Sequence, residues 1–236
     1  MLILISADLW KYMNQAATNS FVVAQRAMHS PATTHRARRG DGYLLRPLYN
    51  FYDFFPLALE LGYDGKWAEL GVARGAGSLR FFKGMPSGAH LFMVDSWAEV
   101  DAYQARDGSD NYDATLRTLT DNKISEDRYT IMRMTTIDAA QSLEDGSFDF
   151  IYVDASHTYE DVLLDLEAWW SKLRVGGIIA GDDYYNGYVD AAGYTFGVRD
   201  AVDVFFQTKN HRVYTTGYSD PRIPSFQQWF VLKCSE

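Results

Sequence analysis

Three carboxylates in the second half of the chain fall where a divalent cation could be held. The stretch FDFIYVDASHTYEDVLLDLEAWWSKLRVGGIIAGDDY (148–184) ends one apolar run with Asp154 and a second with Asp182 and Asp183. A helix-length segment separates the two runs. In a parallel sheet such strand ends are neighbours, so the three acids converge on one edge, where open α/β sheets take their ligands. Carboxylate oxygens are hard donors suited to Mg²⁺, Mn²⁺ or Ca²⁺. His157 stands three residues beyond Asp154, at the start of the intervening helix.

A second group of residues lies upstream. KWAELGVARGAGSLRFF (66–82) places Gly71, Gly75 and Gly77 between an apolar run and a helix. Glycines there admit a ligand close to the backbone, and the helix start offers free N–H groups to an anion. The spacing is E-x-G-x-x-x-G-x-G, a poor fit to the dinucleotide fingerprint G-x-G-x-x-G. Asp95 ends the next run, 24 residues after Gly71, where an acid can accept from ribose hydroxyls. Taken singly, Glu69 could pair locally and Asp95 could cap a turn. Together at successive strand tips they read as a nucleoside site.

The elements that must carry these residues follow from periodicity. Apolar runs at 66–71, 90–95, 129–133, 148–154 and 177–181 alternate with helical runs at 76–83, 110–122, 137–143 and 158–172. Such alternation implies right-handed βαβ units and a parallel sheet. In helix 158–172, Val162, Leu163, Leu166, Trp169 and Trp170 form an apolar face, with Glu160, Asp161, Asp165 and Glu167 opposite. Ser156 or Thr158 caps its start, and Gly176–Gly177 mark the turn after it. YYNGYVDAAGYTFG (184–197) reads as a loop, followed by a helix over 197–206. The runs 211–215 and 226–233 are close enough to pair antiparallel. Upstream, 7–28 and 47–61 have helical spacing, the second bent at Pro56. The segment 30–42 has loop chemistry.

Composition bounds the function. The 236 residues, 47% hydrophobic, suffice for one α/β domain with an appendage, divided here into 1–45 and 46–236. A net charge of −9 argues against nucleic acid as a partner. Yet residues 9–40 hold five Lys or Arg and no acid. That segment superficially fits an organellar transit peptide. A cytoplasmic protein with a basic loop is the simpler reading. No stretch approaches the roughly 20 apolar residues of a membrane span. The single cysteine, Cys234, permits no intrachain disulfide and suits a reducing compartment. The apolar face of helix 7–28 could serve a homo-oligomer contact.

ELGVARGAGS, VDSW, FDFIYVDASHTYEDV and GGIIAGDDY together resemble the successive motifs of class I S-adenosylmethionine-dependent methyltransferases. They are most similar to the metal-dependent macrocin and sugar O-methyltransferase group, over about residues 60–235. The resemblance implies a Rossmann-like α/β fold, with a seven-stranded, mostly parallel sheet, one antiparallel strand and an N-terminal helical extension. It implies that Glu69 and the loop from Gly71 through Gly75 and Gly77 to Ser78 hold the methionine end of S-adenosylmethionine. Asp95 would bind the ribose, Ser96 and Trp97 would border the adenine, and Thr136 would lie near its ring. Met134 stands where relatives often have Gly or Asp. Asp154, Asp182 and Asp183 would hold Mg²⁺, or Mn²⁺ or Ca²⁺, and Asp154 would also face the cofactor. His157 would be the general base.

The function expected is metal-assisted methylation of a small-molecule hydroxyl, with a sugar or glycoside as the first candidate and a catechol-like phenol as the second. A nucleotide-dependent oxidoreductase and a non-catalytic ligand-binding relative are the alternatives from other classes. Tyr184, Tyr185, Tyr188 and Tyr194 could stack on an acceptor or simply pack between loop and sheet. Segment 34–43 could fold over the mouth of the site and pair its arginines with an acidic acceptor, or stay solvated.

Overall fold

A computed structural model describes residues 58, 61–98, 108–190, 192–215 and 227–234. Helix 7–28, the basic segment 34–43, most of helix 47–61 and the boundary at 45/46 lie outside these residues. Among the described residues, no helix is long and apolar enough to cross a membrane.

Strands β1 (Lys66–Leu70), β2 (His90–Asp95), β3 (Tyr129–Arg133), β4 (Phe148–Val153) and β5 (Leu173–Gly181) alternate with helices α1 (Ala76–Gly84), α2 (Gly108–Asp121), α3 (Thr136–Gln141) and α4 (Tyr159–Trp170). A hairpin of β6 (Asn186–Val189) and β7 (Tyr194–Gly197) leads to α5 (Val198–Thr208), then β8 (Tyr214–Thr215) and β9 (Trp229–Leu232). The main sheet has seven strands in the order β3-β2-β1-β4-β5-β9-β8. The pairs among β1 to β5 are parallel, while β9 runs antiparallel to both β5 and β8. The order reverses between β1 and β4, which creates the crevice that such sheets use for ligands.

The sheet is covered on both faces, so its central strands are nearly continuous apolar runs. All six residues of β4 are buried. On one face, α1 and α2 pack Phe81 and Leu119 against Trp67, Phe150 and Tyr152. On the other, Ala139 of α3, Leu166 and Trp169 of α4 and Phe206 of α5 pack against Phe148, Ile151 and Trp229. Thr158 caps α4 by accepting from the Asp161 N–H at 3.2 Å.

Three local expectations change. The segment 184–197 is a hairpin rather than a loop. Its Tyr, Val and Phe residues favour pleated backbone, and the Ala192 and Gly193 N–H groups close the turn onto the Val189 carbonyl at 3.0 and 2.9 Å. Gly176–Gly177 do not end an element. They absorb a bulge within β5, where Leu173 pairs with Phe148 and Ile178 with Phe150. Asp165, assigned to the solvent face of α4, is 3% exposed. α3 packs over that position, and the Thr136 hydroxyl donates to the Asp165 carboxylate.

β1 and β4 meet tightly where both enter the crevice. The Asp154 N–H donates to the Leu70 carbonyl at 2.8 Å. Gly71 has φ 88°, and a methyl group there would overlap the backbone carbonyl of Asp154. Gly71→Ala should therefore lower the unfolding free energy by about 2 kcal/mol or more in a urea titration. A loss below about 0.5 kcal/mol, the ordinary surface range, would show that the two strands do not meet this tightly.

Candidate active site

The site is built on the C-terminal tips of β1, β2, β4 and β5. At the tip of β2, one Asp95 carboxylate oxygen accepts from the Val72 and Ala73 N–H groups at 2.9 and 2.8 Å. Its other oxygen accepts from the Trp97 N–H at 2.8 Å. Asp95 thus ties its own loop to the glycine loop. The Ala73 carbonyl in turn accepts from the Trp97 indole at 2.8 Å and from the Thr115 hydroxyl at 2.9 Å. Trp97 is buried against Tyr112 and acts as a support beneath the loop, while Ser96 is exposed at its edge.

Glu69 is 3% exposed and faces the first turn of α1. Burial raises its pKa well above the usual carboxylate range; a hydrogen bond from Ser78 and the charge of Arg80 oppose the rise, and Asp154 and Asp95 add to it. The Ser78 hydroxyl is fully buried and donates to Glu69, so Ser78 braces the acid rather than facing the crevice. Any side chain at Gly77 would strike Glu69. Gly75 precedes α1 in the left-handed conformation, φ 79°, and no side chain caps the helix. A ligand with a carboxylate and an ammonium group fits this arrangement. The uncapped N–H groups suit the anion, and a cation beside Glu69 offsets the cost of its burial. The α-amino acid end of S-adenosylmethionine has that chemistry.

Thr136 does not turn its hydroxyl toward the crevice. It bonds Asp165, and its carbonyl accepts from the Trp169 indole at 3.0 Å. Met134, at the turn itself, is 37% exposed.

The tips of β4 and β5 bring together Asp154, His157 and Asp183. One ligand atom from each lies within 4.8 Å of the others. His157 Nε2 is 2.9 Å from an Asp183 oxygen and 3.5 Å from an Asp154 oxygen. Neither contact is an aligned hydrogen bond, so Nε2 is a buried nitrogen whose N–H has no acceptor along its axis. Asp183 has φ 53°, a left-handed conformation that directs its carboxylate to this point. Ala73 and Trp97, φ 49° and 42°, carry the same conformation at the other two loops of the site.

Burial alone would lower the His157 pKa. Contacts with Asp154 and Asp183, the Asp183 charge and a bond to Tyr194 outweigh it, and the group is pushed up to about 11. Without a cation in the cluster the two carboxylates favour the protonated imidazole over the neutral form a general base needs. Burial raises Asp154, with His157 opposing and Asp183 adding. Its side chain keeps 39% exposure, and water moderates that rise. Asp182, expected among the metal ligands, is not in this cluster. Its carboxylate accepts from the Asp183 N–H at 2.9 Å, and burial, with Asp154 and Asp183 nearby, pushes it up to about 7. One residue that the sequence did not single out stands behind it. Gln228 of the β9 approach bonds Asp182 and donates to the Tyr152 hydroxyl at 3.0 Å. No local signal marks Gln228, because only the β5–β9 pairing brings it there.

The four tyrosines divide. Tyr184 donates to Asp203 of α5, away from the crevice. The Tyr194 hydroxyl is 3.0 Å from His157 Nδ1. Phe196 stacks on the imidazole at 4.4 Å and 5°. Tyr185 and Tyr188 remain exposed, at 37% and 62%.

Residues 68–184 match the family model described as a methyltransferase domain. An uncharacterized protein of Sinorhizobium fredii is 28% identical over 158 residues, 60% of this chain, and the chain spans only 17% of that protein's length. The O-methyltransferase from Bacillus cereus, solved in complex with S-adenosylhomocysteine, shares the fold with a TM-score of 0.54 at 14% identity, over 94% of this chain and 96% of its own. An rRNA-methylase candidate from Clostridium thermocellum does so with a TM-score of 0.55 at 16% identity, over 76% of this chain and 96% of its own. At these identities the likeness is one of fold. The matched stretch is thus a methyltransferase domain by its family description, and the fold is the Rossmann-like α/β fold of these methyltransferase structures.

The Thr136–Asp165 contact has a measurable consequence. Burial pushes the Asp165 pKa up to about 6, with the Thr136 bond opposing. The folded state therefore keeps a proton that the unfolded chain releases near pH 4, and stability falls as pH rises between the two values. Asp165→Asn removes that loss. It should be up to about 3 kcal/mol more stable than the parent at pH 7 and no more stable below pH about 4, by denaturant titration at both. Equal differences at the two pH values would contradict a buried, titrating Asp165.

Proposed function

We propose that the protein is an S-adenosylmethionine-dependent O-methyltransferase acting on a hydroxyl of a small molecule with the help of a divalent ion. The observation that carries the reading is the continuity of the two half-sites. Gly71, at the head of the loop held by Asp95, lies against the backbone of Asp154, which begins the acid and imidazole cluster.

When bound, S-adenosylmethionine supplies a sulfonium methyl group and the ion supplies Lewis-acid orientation of the acceptor hydroxyl. The chain's own residues do the rest. Glu69 and the uncapped start of α1 fix the amino acid end, and Asp95 has lone pairs left for the ribose. Asp154 and Asp183 would hold the cation, with Asp182 beside them. Asp154 and Asp183, once engaged by a cation, would no longer favour a proton on His157, and its imidazole would be neutral. With both groups bound, the residues of this edge would hold the acceptor oxygen toward the methyl group, and a carboxylate or imidazole among them would take up the hydroxyl proton as the methyl is transferred. Holding the oxygen in line is the main contribution expected of such a site.

A sugar or glycoside is the first candidate acceptor, on the resemblance of VDASHTYEDV and GGIIAGDDY to the sugar enzymes. A phenol is the second. A net charge of −9 disfavours an RNA acceptor, although one protein of this fold carries an rRNA-methylase description.

Calorimetry should show S-adenosylhomocysteine binding, weakened about tenfold or more in Asp95→Ala, which frees three backbone N–H groups. Binding of NAD in its place would overturn the reading. In a methyl-transfer assay, EDTA should reduce turnover at least about 100-fold, with recovery on adding Mg²⁺ or Mn²⁺. Unchanged turnover in EDTA would remove the ion from the mechanism.

A further inference from the structure

We propose that His157 is a ligand of the divalent ion through Nε2, alongside Asp154 and Asp183, with Tyr194 as the positioning residue that fixes the required tautomer. The proposal rests on the methyltransferase reading above and departs in two respects from what the sequence resemblance implies. His157 is then a ligand rather than the base, and Asp182 stays outside the coordination sphere.

The geometry points this way from four sides. Ligand atoms on one ion, each about 2.1 Å from it, lie at most about 4.2 Å apart. Nε2 stands 3.5 and 2.9 Å from the oxygens of Asp154 and Asp183, and the whole triad is within 4.8 Å. The set closes on an ion with small side-chain adjustments. Second, Nε2 is buried and no acceptor lies along its axis, although the two carboxylates stand beside it. Third, the ring is held on its other sides. Phe196 stacks on its face at 4.4 Å and 5°, and the His157 carbonyl accepts from the Gly197 N–H at 2.8 Å. Fourth, Nδ1 meets the Tyr194 hydroxyl at 3.0 Å. An imidazole that ligates through one nitrogen donates its other N–H to an oxygen, which fixes its tautomer and orientation. Tyr194 supplies that oxygen.

Asp182 lacks this placement. Its carboxylate is engaged by the Asp183 N–H and by Gln228, behind the cluster.

The ligand set has a consequence for metal choice. A site of carboxylates alone suits Mg²⁺ or Ca²⁺, whereas imidazole brings the borderline ions into preference. The site should take Mn²⁺, Fe²⁺ or Co²⁺ in preference to Mg²⁺ and Ca²⁺.

The test uses the full chain, Mn²⁺ as probe and two readouts that do not depend on turnover. Pulsed electron paramagnetic resonance of the Mn²⁺-loaded protein, grown with ¹⁵N-histidine, should show coupling to an imidazole nitrogen. Titration calorimetry should show Mn²⁺ binding at least tenfold tighter than Ca²⁺. His157→Gln should abolish the nitrogen coupling and weaken Mn²⁺ at least tenfold. Tyr194→Phe should keep the coupling and weaken Mn²⁺ about tenfold. Asp183→Asn should weaken it strongly, and Asp182→Asn should leave it within twofold. Unchanged S-adenosylhomocysteine affinity in each variant shows an intact fold. Absence of nitrogen coupling in the parent, or parental Mn²⁺ affinity in His157→Gln, would overturn the ligand role. Absence of S-adenosylhomocysteine binding in the parent would instead overturn the methyltransferase reading.

Discussion

The contact between Gly71 and the backbone of Asp154 is the constraint on which the rest of the site depends. β1 and β4 are adjacent in the sheet although 77 residues lie between the end of one, Leu70, and the start of the other, Phe148. Only a residue without a side chain lets the two tips enter the crevice side by side. That proximity places a loop suited to a charged amino acid and a nucleoside against a cluster suited to a cation.

Electrostatics gives the site its character. Four acids, Glu69, Asp95, Asp154 and Asp183, stand at the tips of four strands, with Asp182 adjoining. Burial and mutual repulsion raise Glu69, Asp154 and Asp182. Such a concentration of acid is costly in a folded protein unless cations arrive to offset it. His157 stands between Asp154 and Asp183, which favour its protonated form, and supplies part of that offset. A ligand carrying a sulfonium and an ammonium group, together with a divalent ion, would complete it.

Much of this was legible in the sequence because it is local. The strand runs, the glycine loop, and the acids at 69, 95, 154 and 183 follow from period and punctuation. The antiparallel end of the sheet followed from the short separation of its last two strands. What was not legible depends on helix phase and on partners distant in the chain. Asp165 reads as a solvent-face acid until α3 is seen to cover it. Ser78 and Thr136 read as cofactor contacts, but their hydroxyls turn inward to Glu69 and Asp165. Tyr194 and Phe196 alternate as a strand should, in a segment whose glycines made it read as a loop. Their grip on His157 needs the hairpin to fold back over α4. Gln228 reaches Asp182 only because β9 runs against β5.

The most direct measurement is a crystal structure with S-adenosylhomocysteine and Mn²⁺, recorded with anomalous scattering at the manganese edge. The cofactor product should lie along the Gly71–Gly77 loop with its amino acid end at Glu69. One anomalous peak should be ringed by Asp154, His157 and Asp183, beside the product's sulfur. Product bound elsewhere, or no manganese at the tips of β4 and β5, would contradict a single site joining cofactor and ion.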